Sequence, residues 1–313
     1  MLIFDYGNRT LASVFIIVGF ETIREVGLFL FCLFLCMYIV TIGAHILIIG
    51  LVILDHNLHK PMYMFLANFS VAEICYITAT VPKMLDALLT GNKEISYSAC
   101  MAQFYSFFAS GATENCFLVV MGYDRYVAIC QPLYYHTMMA KKNSLALAIG
   151  AWAGGLLAAT SPTLWVSTLN FCYPNRIEHF FCDYAPLLKL SCEDTSKGEF
   201  AFTVVSWSLI LGCFFLTLMS YAFIIFSVLK ISSTEGQKKA FSTCASHLTV
   251  VCIFNGTVIF MYIRPTSTIR FTLDKVVSIF YSVVTPLLNP IIYCLRNKDV
   301  KNAAYKGLQE IGI

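Results

Sequence analysis

Charged side chains are scarce in this chain: Asp, Glu, Lys and Arg make up 12% of its 313 residues, against 58% hydrophobic and a mean hydropathy of +0.73. A soluble domain of this length carries roughly twice that charged fraction. A freely soluble globular protein is therefore excluded, and a polytopic membrane protein is indicated. The net charge is only +3, and the basic residues are spread among loops, so no nucleic-acid partner is indicated. Chemistry-bearing clusters are lacking as well. His136, His179 and His247 fall in three different elements, and no motif flags a nucleophile, so the chain does not read as an enzyme. No internal repeat is visible, which speaks against the inverted-repeat transporters. The N-terminus lacks the basic start of a cleavable signal, and its apolar run Val14–Phe20 is short and followed by Glu21, Arg24 and Glu25.

Long apolar runs are what the chain does have. Seven segments, about 26–54, 61–89, 98–133, 144–168, 199–230, 237–265 and 272–295, reach the roughly 20 residues a spanning helix needs. This predicts an all-α membrane protein, a seven-helix bundle over 26–295. Residues 1–25 form an outer tail, and 296–313 a cytosolic amphipathic helix and tail. Asn8-Arg9-Thr10 is a glycosylation sequon that places the N-terminus outside. Seven spans then put the C-terminus in the cytosol. Sequons at Asn68 and Asn255 lie inside apolar segments, out of reach of the glycosylating enzyme. Lysines in the short inner loops agree with this orientation, although outer loops also carry basic residues. Val300, Ala303, Ala304 and Leu308 share one face of the last segment, as in a helix lying along a bilayer.

Thirteen cysteines are too dispersed for a metal cluster. Cys32, Cys36, Cys75, Cys116, Cys213 and Cys252 sit in apolar runs, where a free thiol behaves as a small hydrophobe. Cys172, Cys182 and Cys192 lie in the one long outer loop, 169–198, and Cys100 opens the third segment on the same side. Four cysteines facing an oxidising compartment form two disulfides, with three pairings open.

The third segment carries the chemistry. It ends in Met121-Gly122-Tyr123-Asp124-Arg125-Tyr126, an acid–base pair at the inner end of a helix. An Arg there must meet water or a carboxylate, and Asp124 is the local candidate. Cys100 and Asp124 are separated by about 36 Å of helix, so this span joins the outer disulfide region to the inner surface. Glu114 sits about 15 Å above Asp124, and Glu73 about 18 Å from the inner end of the second span. Two carboxylates at similar depth in a dry site share a proton or bind a cation such as sodium, since both cannot ionise side by side. In the seventh segment, Asn289-Pro290-Ile291-Ile292-Tyr293 places a proline near the inner end. Pro290 removes a backbone donor and makes a hinge.

Taken together, these stretches resemble the rhodopsin-like G-protein-coupled receptors and, within them, the olfactory receptors. The narrower likeness rests on Leu58-His59-Lys60-Pro61-Met62-Tyr63, Met121–Cys130, Ser220-Tyr221, His179-Phe180-Phe181-Cys182-Asp183 and Pro286–Tyr293. The most specific stretch is Lys239-Ala240-Phe241-Ser242-Thr243-Cys244-Ala245-Ser246-His247-Leu248. The resemblance implies disulfides Cys100–Cys182 and Cys172–Cys192, a small organic odorant as ligand, and a stimulatory olfactory-type heterotrimeric G protein that raises cyclic AMP at the plasma membrane. It further implies a pocket from Phe107, Phe108, Gly111 and Ala112 on span three, and Val205, Ser206 and Leu209 on span five. Val258, Ile259 and Tyr262 on span six complete it with Tyr281 and Ser282 on span seven. Such a lining is apolar with a few hydroxyls, which suits neutral ligands. Asp124, Arg125, Tyr126, Tyr221, Lys239, His247, Asn289, Pro290 and Tyr293 would form the switch that meets the G protein.

Three positions depart from the family pattern. His45 stands where Asn is usual, facing Glu73 and Asn289; it either pairs with a carboxylate and titrates or stays neutral in a hydrogen bond. Asn255 replaces a Tyr on the pocket floor, and Glu73 replaces the commoner Asp. Two alternatives remain open: a chemosensory receptor outside the nose, and a proton-coupled transporter using Glu73, Glu114 and His45 as a relay. The transporter reading leaves the Arg125 region and the basic start of span six unexplained.

Overall fold

The computed structural model describes residues 13–20, 24–172, 174–230, 233, 235, 237, 244, 247–256, 259, 271–296 and 298–311. Side chains at 271–274, 294–296, 298, 307, 308, 310 and 311 also lie outside the description. Asn8, Lys238, Lys239, Val258 and Tyr262 lie outside the described residues, as does the side chain of Leu308.

The chain folds as a helical bundle. In order it runs α1 (Arg24–Leu54), α2 (Pro61–Thr90), α3 (Tyr97–Cys130), α4 (Lys141–Ser167), α5 (Ser196–Leu229) and α6 (His247–Gly256). Then come α7 (Phe271–Ile279, a π turn at Phe280–Val284, and Thr285–Arg296) and α8 (Lys298–Ile311). Five described helices are long and apolar enough to cross a membrane: Arg24–Leu54, Pro61–Thr90, Lys141–Ser167, Ser196–Leu229 and Lys275–Tyr293. Large apolar side chains such as Phe29, Ile53, Leu157, Leu164 and Phe226 stand exposed on the outside. Bundles apolar on their outer face belong in lipid.

Local chemistry sets the helix ends. Pro61 opens α2 at its first position, where a missing N–H costs nothing. Gly91 closes it in the left-handed region at φ 76°, giving its N–H to Ala87 O, a conformation that a side chain would strain. Ser96 caps α3 by accepting from the N–H of Ala99.

The outer tail of the sequence reading is corrected in part. Val14–Ile17 forms β1, the central strand of a three-stranded sheet. It pairs antiparallel with β2 (Glu94–Ser96) and parallel with β3 (Arg176–Ile177). Phe15 and Ile17 are fully buried beneath it. Alternating burial along Val14–Ile17 is the strand signal that the apolar run concealed. The all-α class holds for the bundle, with this small sheet added on its outer side.

Disulfides join Cys100 to Cys182 and Cys172 to Cys192, with Cα–Cα separations of 5.6 and 5.5 Å. The first ties the outer loop to the start of α3. Gln103 reinforces it, accepting from the N–H of Cys182 at 2.8 Å and donating to Ala79 O at 2.8 Å. His56 and His59 stand three residues apart between α1 and α2, their Nδ1 atoms 3.4 Å apart, a spacing the sequence reading passed over. Among the described residues no third ligand joins them.

At the inner side, α8 buries Val300 and Ala303. It is tethered to α2 by Tyr63, whose hydroxyl donates to Asp299 Oδ2 at 2.8 Å. Lys60 reaches the same carboxylate at 3.5 Å, an exposed pair that adds little.

Candidate functional site

A cavity of about 80 Å³ lies within the bundle, lined by Tyr76, Phe107, Phe108, Gly111, Ala112, Asn115, Ser206, Leu209, Ile210, Phe254 and Tyr281. Its aromatic wall is built by helical spacing. Phe107 and Gly111 lie one turn apart on α3, and Phe107 stacks on Tyr76 of α2 with ring centroids 4.6 Å apart. A side chain at Gly111 would place its Cβ 3.2 Å from the Tyr76 ring, so glycine here gives Tyr76 its place at the wall. None of the described lining residues is charged. Polar groups come from Ser206, Asn115, Tyr76 and Tyr281.

Seven of the residues named from the resemblance meet in this cavity: Phe107, Phe108, Gly111, Ala112, Ser206, Leu209 and Tyr281. Three others lie elsewhere. Val205 is half exposed and faces an outer cleft between α3, α4 and α5. Ser282 is buried and turns its hydroxyl back to Ser278 O at 2.6 Å. Ile259 packs against the inner apolar core. Tyr76, Asn115, Ile210 and Phe254 were missed, and the helical periods of Phe107–Gly111 and of Ser206–Leu209–Ile210 would have found Asn115 and Ile210.

The long outer loop roofs the cavity. Phe181 packs on Phe107 at 4.8 Å, and Phe180 and His179 are buried beside it. Tyr281 donates to Ser278 Oγ at 3.1 Å, and Ser278 Oγ lies 3.0 Å from His179 Nε2. The Ser278 hydroxyl thus bridges Tyr281 and the His179 ring. Burial, aided by the nearby Lys275 cation, holds this loop histidine down at about 3. A relay of hydroxyls thus joins the cavity wall to the roof. Lys275 also donates to Gly19 O at 2.9 Å, fastening the segment after β1.

Below the cavity lies a polar layer. Asn289 donates its amide to Glu73 Oε1. Glu73 Oε2, both oxygens of Glu114, and the amide oxygens of Asn115 and Asn289 are buried without a hydrogen-bond partner. Glu73 and Glu114 are close enough to repel if both are charged. Hard oxygen atoms in want of a donor fit a proton or an alkali cation, and the residues present suit either. Among the described residues no cluster of three or more metal-ligating His, Cys, Asp or Glu occurs.

His45 belongs to neither carboxylate. Its Nε2 lies 3.2 Å from Pro286 O. Pro290, four residues on, has no N–H for that carbonyl, and His45 supplies the missing donor. The geometry is that of the hydrogen-bonded reading, with a backbone carbonyl and not a carboxylate as partner. Asn255 is buried and donates back to Val251 O at 3.1 Å, leaving its oxygen unpartnered. The hinge expected at Pro290 falls within the α-helical stretch Thr285–Arg296. The described departure from regular α-helix in this span is the π turn at Phe280–Val284, two residues before Pro286, which likewise has no N–H to give.

At the inner end, Asp124 does not pair with Arg125. Tyr135, in the short turn after α3, donates to Asp124 Oδ1 at 2.9 Å. Among the described residues no ion pair joins Asp124 to Arg125, and Arg125 Nε is buried without a partner. Burial and the adjacent Asp124 carboxylate push the Tyr135 phenol up, so it stays a donor. Nearby, the Tyr221 hydroxyl meets His247 Nδ1 at 2.7 Å, linking α5 to α6. Tyr293 is buried with its hydroxyl unpartnered, and Tyr126 stacks on Tyr123 with ring centroids 6.3 Å apart. Arg125, Tyr221, His247 and Tyr293 lie close enough for their charges and dipoles to interact.

Comparison with known sequences decides what kind of bundle this is. The sequence profile described as "Olfactory receptor" matches residues 31–310. The chain belongs to the olfactory receptor family. It is 46% identical to human olfactory receptor 6N1 over 309 residues, covering 99% of each chain. It is 45% identical to the dog olfactory receptor-like protein OLF1 over 303 residues, covering 97% of each. Mouse olfactory receptor 5T17 is 45% identical over 302 residues, 96% of this chain and 93% of that one. As an olfactory receptor the chain is a multi-pass, seven-span membrane receptor of the G-protein-coupled class rather than an enzyme. Its α3, too polar to pass as a membrane span by composition alone, is the central span.

Proposed function

We propose that this olfactory receptor binds small, mostly neutral and apolar organic odorants in the cavity between α3, α5, α6 and α7. Binding activates a stimulatory, olfactory-type G protein that raises cyclic AMP. One observation carries the ligand class: Phe107, Phe108, Gly111, Ala112, Leu209, Ile210 and Phe254 form an apolar wall with hydroxyls at Ser206 and Tyr281 and no charge. An amine or carboxylate ligand would need a counter-ion, and none of these residues supplies one. The N-terminus faces outward and the C-terminus the cytosol of the plasma membrane.

Ligand packing against Phe107, Phe108 and Gly111 favours a state in which α6 moves near Asn255 and Gly256. The Tyr221–His247 link then opens, and Arg125 turns to receive the G protein among Tyr221 and Tyr293. Glu73 and Glu114 hold a sodium ion or share a proton in the resting state, and would supply charge compensation in the polar layer. Ligand can move this equilibrium only by its differential affinity for the two states.

The test is a cyclic AMP assay in cells co-expressing an olfactory-type G protein and a trafficking chaperone. A panel of neutral odorants with some acids and amines is compared in wild type and Arg125→Ala. Neutral compounds should activate wild type, and Arg125→Ala should be silent at normal surface level. An undiminished response in Arg125→Ala would overturn the assignment of the switch.

A further inference from the structure

Between α1 and α2 the chain makes a single 3-10 turn, His56–Leu58. With about three residues per turn, side chains three apart stand in line, so His56 and His59 project from the same face. The turn is held from several sides. Asp55 caps it, its Oδ1 accepting from the backbone N–H of Asn57 at 2.9 Å and from the Asn57 amide at 2.8 Å. Leu58 is buried beneath it. The N–H of His59 donates to His56 O at 3.2 Å, and Pro61 opens the next helix. Both imidazoles are exposed.

The two rings meet nitrogen to nitrogen. Their Nδ1 atoms lie 3.4 Å apart, with ring centroids at 4.9 Å and planes at 81°. His59 Nε2 lies 3.2 Å from Ile53 O. A carbonyl can only accept, so Nε2 carries a hydrogen, and in the neutral ring Nδ1 is left bare. Proteins fix metal-binding histidines in this way, the far nitrogen donating to a carbonyl while the near one holds the ion. With Zn–N bonds of about 2.0–2.1 Å and a tetrahedral angle, two ligating nitrogens stand roughly 3.4 Å apart. A right angle at the same bond length would bring them to about 2.9 Å. The spacing found is the tetrahedral one. The Asp55 carboxylate, within electrostatic reach of both His56 and Lys306, adds negative charge beside the pair that Lys306 offsets in part.

We propose that His56 and His59 form a zinc site on the turn between α1 and α2, with both Nδ1 atoms as ligands and water in the remaining positions. Binding replaces the hydrogen that His56 shares with His59. That proton moves from His56 Nδ1 to Nε2, and the freed lone pair takes the metal, so no proton is lost overall. Among the described residues no third His, Cys, Asp or Glu joins the pair, and the site is therefore open and weaker than a closed four-ligand one. It lies beside the seat of α8, since Lys60 and Tyr63, just after His59, both reach Asp299.

The probe is zinc chloride, added to the full chain in phosphatidylcholine nanodiscs after purification through a tag without histidine. Calorimetric titration should show a saturable zinc ion in wild type, weakened by at least about tenfold in His56→Gln and in His59→Gln. Both histidines are exposed, and two variants guard against one that fails to fold. His136→Gln, which removes an exposed histidine elsewhere, should leave binding unchanged. His56→Cys separates ligation from packing: a thiolate binds zinc and should restore saturation, where glutamine, able only to hydrogen-bond, does not. Cobalt(II) in place of zinc should give the strong visible absorption of a four-coordinate ion in wild type and in His56→Cys, and lose it in His56→Gln. Magnesium, which prefers oxygen ligands in an octahedron, should not bind there. Zinc that binds without saturation, or equally in wild type and both glutamine variants, would overturn the proposal. So would a six-coordinate cobalt spectrum, or magnesium competing with zinc at equal concentration.

Discussion

Gly154 and Gly155 are neighbours on α4, and the structure assigns them opposite tolerances. A Cβ on Gly155 would lie 2.0 Å from Thr113 Oγ1, 2.6 Å from Thr113 N and 2.8 Å from Thr113 Cα. Backbone atoms of α3 cannot rotate away, so α4 as a whole would have to retreat by several tenths of an ångström. A Cβ on Gly154 would meet Cys116 Sγ at 3.6 Å, an ordinary contact. Over-packing costs about 1–3 kcal/mol, and backbone obstruction puts Gly155→Ala at the upper end. Replacing glycine inside a helix by alanine gains up to ~1 kcal/mol. The net expectation is a loss of about 1–2 kcal/mol for Gly155→Ala, and no loss or a small gain for Gly154→Ala.

Function should follow the same split, because Thr113 sits between Ala112 on the cavity wall and Glu114 in the polar layer. Displacing α4 removes the support behind that stretch of α3. The assay is paired: thermal unfolding of both variants in nanodiscs, with surface level and cyclic AMP response in cells. Gly155→Ala should melt lower and reach the surface less, while Gly154→Ala should match wild type. Equal behaviour of the two alanines would refute the close approach of α3 and α4 from which the difference is derived.

Other consequences can be checked alongside. His45→Leu leaves Pro286 O without a donor and should cost about 1–3 kcal/mol, whereas His45→Asn should recover most of it; equal melting of both variants would refute the role given to His45. Tyr135→Phe takes the hydroxyl from Asp124 and frees that carboxylate for Arg125. Basal cyclic AMP should fall and agonist potency drop roughly tenfold or more, given about 1.5–3 kcal/mol for a hydrogen bond to a charged group; unchanged basal and evoked signals would show that Tyr135 does not set the resting state. His179 titrates near 6.5 when unfolded and at about 3 in the fold, so the folded state binds fewer protons across that window. Stability from this residue is complete above pH 6.5 and lost as pH falls toward 3, at up to ~1.4 kcal/mol per pH unit; melting of wild type and His179→Gln compared at pH 7.4 and 5.5 should reveal it, and identical pH dependence would sink it. Gly111→Ala pushes on the Tyr76 ring and reduces the cavity, so agonists should lose about tenfold in potency at normal surface level.

Much of this architecture was legible because membranes impose a simple grammar. Apolar runs of spanning length match the described helices other than α6 to within a few residues, as with Pro61–Thr90 against 61–89. Cysteine placement located the tied outer loop. The lost details share one cause, contacts between segments distant in sequence. Nothing in the local run Val14–Ile17 says that its strand partners are Glu94–Ser96 and Arg176–Ile177. Asp124 beside Arg125 suggested a pair, yet adjacent residues on a helix point about 100° apart, and Tyr135 from the next turn reaches the carboxylate first. Val205 and Ser206 are likewise neighbours that both border the outer cleft, yet only Ser206 also reaches the inner cavity, and the rotation of α5 against α3 decides which does.

Prolines make the same point energetically. Pro290 and Pro162 each strip a helical carbonyl of its donor. Pro286 O is answered from α1 by His45 at 3.2 Å, so the departure from the usual Asn at that position keeps a donor where one is needed. That pairing is structural: it joins α1 to α7 near the polar layer and leaves the imidazole no carboxylate to titrate against. The carbonyl of Ala158 meets no side-chain donor among the described residues; it lies on the wall of an apolar cleft beside Ser206 and Trp165. Within one bundle, then, the same covalent defect is closed by protein at one site and left beside open space at the other. In lipid an unmet carbonyl is costly, so the donor that His45 brings from α1 to Pro286 O is part of what holds α7 to the bundle.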